Sequence, residues 1–219
     1  MHHAMPPGGG FEEGTPILCL HDMPGSGRAF TRFLALAGAD RSVYAPDLPG
    51  FGESDGPSAR PAMADYAAAL GEFLDSMRLG NLALLGLRAG AIPTAELALA
   101  RPTQVSRVIL MSVPLLTEAE RQGTRSQALV APAESTFHPS EAARWVLEAA
   151  AQYPLRERLA RISQRLLVLR PHDDLWEATA RVREVLPAAR VTELQQSAVE
   201  ELACTPQRIL DAVREFLRA

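Results

Sequence analysis

The chain has 219 residues, of which 47% are hydrophobic, enough for one domain with a substantial core and too ordered a composition for a disordered protein. Lys+Arg number 22 against 26 Asp+Glu, a formal net charge of −4 that argues against nucleic-acid binding. Every basic residue is arginine, so no lysine is present for a Schiff base or a lysine-held pyridoxal cofactor.

Residues 1–14, beginning MHHAMPPGGG, read as a flexible lead-in. Residues 15–219 read as one domain. Its strand-like runs are Ile17–Leu20, Ser42–Ala45, Leu82–Leu85, Arg107–Met111, Leu166–Leu169 and Arg190–Leu194. Their continuous apolar character suits strands covered on both faces of a parallel sheet. Helix-like stretches lie near Arg28–Leu36, Met63–Met77, Ala89–Ala100, Trp176–Leu186 and Gln207–Leu217. The last four carry apolar residues at three- and four-residue spacing. This alternation predicts an α/β fold with about six mostly parallel strands, right-handed crossovers and helices on both faces. Between Leu115 and Ser163 no strand is visible, and Pro132, Pro139 and Pro154 divide the segment into short helical pieces. Residues 115–163 are therefore expected to form a helical cap over the carboxyl edge of the sheet, where ligands bind in open α/β folds.

Cys19 sits within ILCL and reads as a buried thiol, and with Cys204 it forms no CxxC or metal pattern. No metal and no cofactor are expected. No apolar run reaches membrane-spanning length and no secretory leader is recognisable, so the expected compartment is the cytoplasm.

Four motifs follow four of the strands in order: HDMPGSG at His21–Gly27, DLPGFGESD at Asp47–Asp55, GLRAG at Gly86–Gly90 and RPHDD at Arg170–Asp174. From about Pro16 onward this order resembles the α/β-hydrolase superfamily. The resemblance implies a histidine-led loop beside an oxyanion hole, a G-x-S-x-G turn carrying a nucleophile, an acid after a late strand and a histidine before the last helix. It also implies two strands ahead of Ile17, which the roughly fifteen residues before Pro16 leave largely missing.

The resemblance then fails at two positions. Gly86 and Gly90 match the flanking glycines, but Arg88 stands in the serine position, and a guanidinium is no nucleophile. The loop from Gln195 to Pro206 holds no histidine, and none occurs after His172. Asp174 matches the acid, with Asp173 beside it. The letters Gly52-Glu53-Ser54-Asp55-Gly56 imitate the nucleophile motif, but Gly56-Pro57-Ser58 follows in place of a helix, so Ser54 reads as a surface-turn residue.

The candidate site therefore comprises Arg88 and Asp174, surrounded by His21, Asp22, Met23, Leu87, Ala89, Ser112 and His172. His21 reads as a structural histidine, while His172 and Ser112 read as loop and pocket-lining residues and His138 as exposed. Asp22 replaces the usual glycine, and its charge there would repel a developing oxyanion. Arg88 needs an anionic partner, because an unpaired buried cation is costly. Either it pairs with Asp174 or Asp22 as a plug, or it clamps a ligand carboxylate. Functionally, the sequence reads as a hydrolase-fold protein with a degenerate triad, a pseudoenzyme that binds a small anionic or apolar ligand or a protein partner. The alternative is a noncanonical enzyme, a lyase, isomerase, or esterase or thioesterase, using Arg88 and Asp174.

Overall fold

The computed structural model describes residues 1–5, 14–122 and 141–219. Its elements are β1 (His2–Ala4), β2 (Ile17–Leu20), α1 (Thr31–Ala37), β3 (Val43–Ala45), α2 (Met63–Ser76), β4 (Leu82–Leu87), α3 (Ala91–Ala100) and β5 (Val105–Met111). After the undescribed stretch come α4 (Glu141–Gln152), α5 (Leu155–Leu159), β6 (Arg165–Arg170), α6 (Trp176–Ala180), α7 (Val182–Val185), β7 (Arg190–Glu193), α8 (Ala198–Cys204) and α9 (Pro206–Arg218).

The strands form one seven-stranded sheet in the order β1-β3-β2-β4-β5-β6-β7. All neighbours run parallel except β1, which pairs antiparallel with β3, His2 opposite Ala45. The sheet carries helices on both faces, the open α/β arrangement the sequence predicts. Alternation within each strand separates the two cores, as the period-2 geometry of a strand requires. Leu18, Leu20, Leu82 and Leu84 pack with α2, α3, α4 and α5. Ile17, Cys19, Ala83, Leu85 and Leu87 pack on the opposite face with α1, α8 and α9.

Two helices show how local sequence sets the packing. In α2 the buried residues Met63, Tyr66, Ala67, Leu70, Gly71 and Leu74 recur at helical spacing along one stripe. In α9 Ile209, Leu210, Val213 and Phe216 do the same, and Pro206 opens the helix where its missing N–H costs nothing.

The structure corrects three sequence expectations. Part of the lead-in over residues 1–14 is an edge strand, which makes seven strands instead of six; three residues are too short to carry a periodic signal. The helix expected over Trp176–Leu186 is two short helices, α6 and α7, broken at Arg181. An additional helix, α8, occupies much of the loop expected between Gln195 and Pro206. Ser197 and Glu200 cap it reciprocally, Ser197 Oγ accepting from Glu200 N at 3.3 Å and Glu200 Oε2 from Ser197 N at 3.1 Å. In the segment 115–163, α4 and α5 sink Ala143, Val146, Leu155 and Leu159 into the core shared with α2 and α3. Pro132, His138 and Pro139 lie outside the described residues.

Candidate functional site

Four loops meet at the carboxyl end of the sheet. The β4–α3 turn is the tightest. Arg88 opens a 3-10 turn at φ 51°, in the left-handed region that a residue with a Cβ enters at a cost of about 1–2 kcal/mol. The flanking glycines make the turn possible by close approach. A Cβ on Gly90 would lie 2.2 Å from the Leu20 carbonyl oxygen, and one on Gly86 would lie 2.4 Å from Thr94 Oγ1. The turn is thus pressed against the end of β2.

The β2 and β3 loops are locked to one another. His21, fully buried, places Nδ1 2.7 Å from the Asp22 carbonyl oxygen while Nε2 lies 2.9 Å from the Leu48 amide. The Leu48 N–H must donate, so Nε2 is the acceptor and the proton sits on Nδ1, which donates to Asp22 O. Burial lowers the pKa of His21 below its ordinary value, against the opposing pull of that carbonyl and of Asp47. A neutral, two-sided latch is the result, in keeping with the structural role expected of it. Asp47 fastens the same junction, its carboxylate accepting from Gly27 N at 2.7 Å and Glu53 N at 3.1 Å. Burial works against its ionisation, but these N–H groups hold its pKa low. Ser54 donates its hydroxyl to the Asp47 carbonyl at 2.7 Å, a turn-fixing bond.

At the centre stands Arg88, with its side chain 25% exposed. Its guanidinium grips Asp174 in a fork, Nη1 to Oδ1 at 2.7 Å and Nη2 to Oδ2 at 2.9 Å. Nε donates to Asp22 Oδ2 at 3.0 Å, and Nη1 lies 3.7 Å from Asp173 Oδ2. The two sequence alternatives for a carboxylate partner, Asp174 and Asp22, are both met at once. These bonds, that to Asp174 foremost, raise the pKa of Arg88, against the effect of burial. The Arg88 hydrogen bond lowers that of Asp174. Asp22 moves the other way: burial raises its pKa, outweighing Arg88 and the N–H groups of Ala89 and Met23.

The neighbouring aspartates divide the work. Asp174 is 70% exposed and faces solvent beyond Arg88, whereas Asp173 is 7% exposed. Asp173 accepts from Ser112 Oγ at 2.6 Å and from Leu175 N at 3.0 Å. Sequence reasoning missed Asp173 as a member of the cluster, although the adjacent acidic pair was the available signal. Consecutive residues project differently, so only the backbone trace tells which one reaches inward.

Several expectations are corrected here. Ser112 does not line an open pocket: it is fully buried at φ 53°, its hydroxyl committed to Asp173. The Asp22 carboxylate is held by backbone as well as by Arg88. Its Oδ1 accepts from the backbone N–H groups of Met23 at 2.8 Å and Ala89 at 3.1 Å. Leu87 and Met23 are buried, Leu87 in the α1-side core and Met23 in the α2-side core. His172 is exposed and leans on Trp176, ring centroids 5.0 Å apart, and the Arg170 guanidinium carbon lies over the Trp176 ring, 3.5 Å from its centroid. In the first turn of α8 Ala198 is buried and Val199 is 68% exposed.

A separate cavity of about 630 Å³ lies between α1 and the α8–α9 junction, lined by Arg32, Leu36, Cys204 and Arg208 among others, and shares no residue with the Arg88 cluster. Among the described residues no group of three or more His, Cys, Asp or Glu is placed to hold a metal ion. Among them, too, no helix is long and apolar enough to cross a membrane.

Comparison with known proteins gives the family and the fold. The family described as alpha/beta hydrolase fold matches residues 15–195. The 1-acylglycerol-3-phosphate O-acyltransferase ABHD5 of Rattus norvegicus is 32% identical over 101 residues, 44% of this chain and 29% of that protein. An epoxide hydrolase of Caballeronia sordidicola is 30% identical over 111 residues, 49% of this chain and 33% of that enzyme. The matched segments thus span about a third or less of these relatives. Among solved structures, the enol-lactonase of Burkholderia xenovorans superposes with a TM-score of 0.79 at 19% identity, covering 100% of this chain and 95% of the other. A thermophilic esterase from Thermogutta terrifontis gives 0.78 at 21% identity, covering 99% and 92%. At such identities the superpositions speak for the fold.

Proposed function

We propose that this chain, which belongs to the α/β-hydrolase fold family, is a member without serine-hydrolase activity that works by binding and not by turnover. One observation carries the reading: Arg88, at the turn where the family resemblance puts the nucleophile, spends Nε, Nη1 and Nη2 on Asp22 and Asp174. A guanidinium so bound neither attacks a carbonyl nor leaves the acid at Asp174 free to orient a base. His21 supplies no substitute base, because both ring nitrogens are engaged. His172 is turned onto Trp176. No histidine follows it in the chain.

Of the two roles open to Arg88, the plug is better supported than the carboxylate clamp. Three carboxylates already surround one guanidinium, so the cluster carries no positive surplus to attract a fourth. The occupant of such a protein is then an apolar ligand or a protein partner, and the fold serves as the scaffold that presents it. The reading is tested by exposing the purified protein to a fluorophosphonate probe and to p-nitrophenyl acetate. No serine is expected to be labelled, and ester cleavage is expected at the rate of buffer. Stoichiometric labelling of any serine rejects the reading, and labelling of Ser54 would assign the nucleophile to the loop after β3.

A further inference from the structure

Two backbone N–H groups from different loops converge on a single oxygen. Met23 N, after β2, and Ala89 N, after β4, lie 2.8 and 3.1 Å from Asp22 Oδ1. In an α/β-hydrolase fold the N–H of the residue following the nucleophile position and one N–H from the loop after an early strand make the oxyanion hole. Ala89 is the residue after Arg88, and Met23 is in the HDMPGSG loop. We propose that this chain retains an assembled oxyanion hole and keeps it filled with its own Asp22 carboxylate, so that the hole is an internal anion site whose ligand class is a small carboxylate.

The geometry accounts for each contact of the occupant. Oδ1 sits between the two N–H groups at hydrogen-bond distances, and Oδ2 accepts from Arg88 Nε at 3.0 Å. Burial of Asp22 favours the neutral acid, and three donors aimed at its two oxygens are what the anion requires in return. Gly90 fixes the arrangement. Since no Cβ fits between it and Leu20 O, the β4–α3 turn is held against β2, and Ala89 N is brought to the loop that carries Asp22. An incoming carbonyl oxygen would have to displace a covalently tethered carboxylate that makes the same hydrogen bonds. The inference extends the plug reading of the same site and adds a barrier to acyl transfer that does not depend on Arg88.

The test is chemical rescue, which involves no turnover. Replacing Asp22→Gly removes the occupant and leaves both N–H groups and Arg88 Nε pointing into the vacated space. Sodium acetate, compared with sodium chloride at equal ionic strength and with neutral acetamide, is then titrated against the variant and the natural protein. The expected result is a saturable rise in Tm of the variant, about 3–6 °C once acetate exceeds its Kd roughly tenfold. The ¹⁵N–¹H signals of Met23 and Ala89 should move in parallel, with no response in the natural protein. Equal responses in both proteins, or none in the variant, overturn the proposal. Should Asp22→Gly fail to fold, the natural protein still decides. The amide protons of Met23 and Ala89 must follow the titration read at the Asp22 carboxyl carbon itself, with Arg88 and the facing Asp173 and Asp174 unchanged in sequence; amides that ignore it refute the site. None of these outcomes bears on fluorophosphonate labelling, so the two readings fail separately.

Discussion

Substituting Arg88→Met removes the cation from three carboxylates while keeping most of the side chain's volume. Asp174 is mostly exposed, so its forked pair is screened and contributes only about 0.5–1 kcal/mol. Asp22 and Asp173 are better buried, and their mutual repulsion goes unneutralised once the guanidinium is gone. Full loss of a partner in a buried pair costs roughly 3–5 kcal/mol; discounted for a guanidinium one quarter exposed, Arg88→Met should cost about 2–3 kcal/mol. Relief of the left-handed backbone adds nothing in return, because methionine also carries a Cβ. Asp174→Ala alone should cost about 0.5–1 kcal/mol, and the double variant should fall short of the sum by a similar amount. With a urea dependence near ~3 kcal/mol per molar, Arg88→Met lowers the midpoint by about 0.7–1 M. The assay is urea denaturation of the four proteins, repeated in 1 M NaCl, where screening should shrink the coupling. Additivity within about 0.5 kcal/mol at low salt, or an Arg88→Met protein as stable as the natural one, would refute the argument that Arg88 is held by these acids.

Arg88→Ser alone should leave p-nitrophenyl acetate untouched in a stopped assay, since no base is in place; a burst of p-nitrophenol would mean that one is. Adding Val199→His, at an exposed position in the first turn of α8, is the change from which slow cleavage is expected, and Asp22→Gly should raise that rate by emptying the hole. His21 has a folded pKa below its ordinary 6.5. The folded state therefore binds fewer protons than the unfolded one below that pH, so its contribution to stability is complete above pH 6.5 and is lost as the pH falls through the window beneath it. Urea midpoints from pH 7.5 to 5.5 should drop less steeply for His21→Asn than for the natural protein, and parallel slopes would contradict the neutral latch. Gly90→Ala forces a methyl to within 2.2 Å of Leu20 O and should cost about 3 kcal/mol or more, a Tm loss of about 6–12 °C by calorimetry; a loss under about 2 °C would show that the turn can move away from β2.

The strand pattern was legible because a strand buried on both faces needs a run of apolar residues whatever surrounds it. Thus Ile17–Leu20, Leu82–Leu85 and Leu166–Leu169 could be placed from their composition, and Arg190 and Met63 fell at observed boundaries. The glycines at 86 and 90 could be located in the motif, and the tertiary structure supplies the reason for them, a neighbouring strand end and Thr94. The need of Arg88 for an acid also followed from the sequence alone, since burying an unpaired guanidinium is unfavourable in any fold. What the chain order could not decide was which acid. Asp22, Asp173 and Asp174 are 66 to 86 residues from Arg88, and only the sheet order β2-β4-β5-β6, which brings the loops after β2, β4 and β6 to one edge, sets all three around one side chain. For the same reason the sequence shows only the sign of Asp22, a charge opposed to a developing oxyanion; the two N–H groups that receive it belong to a geometry formed only when the loops after β2 and β4 close on each other.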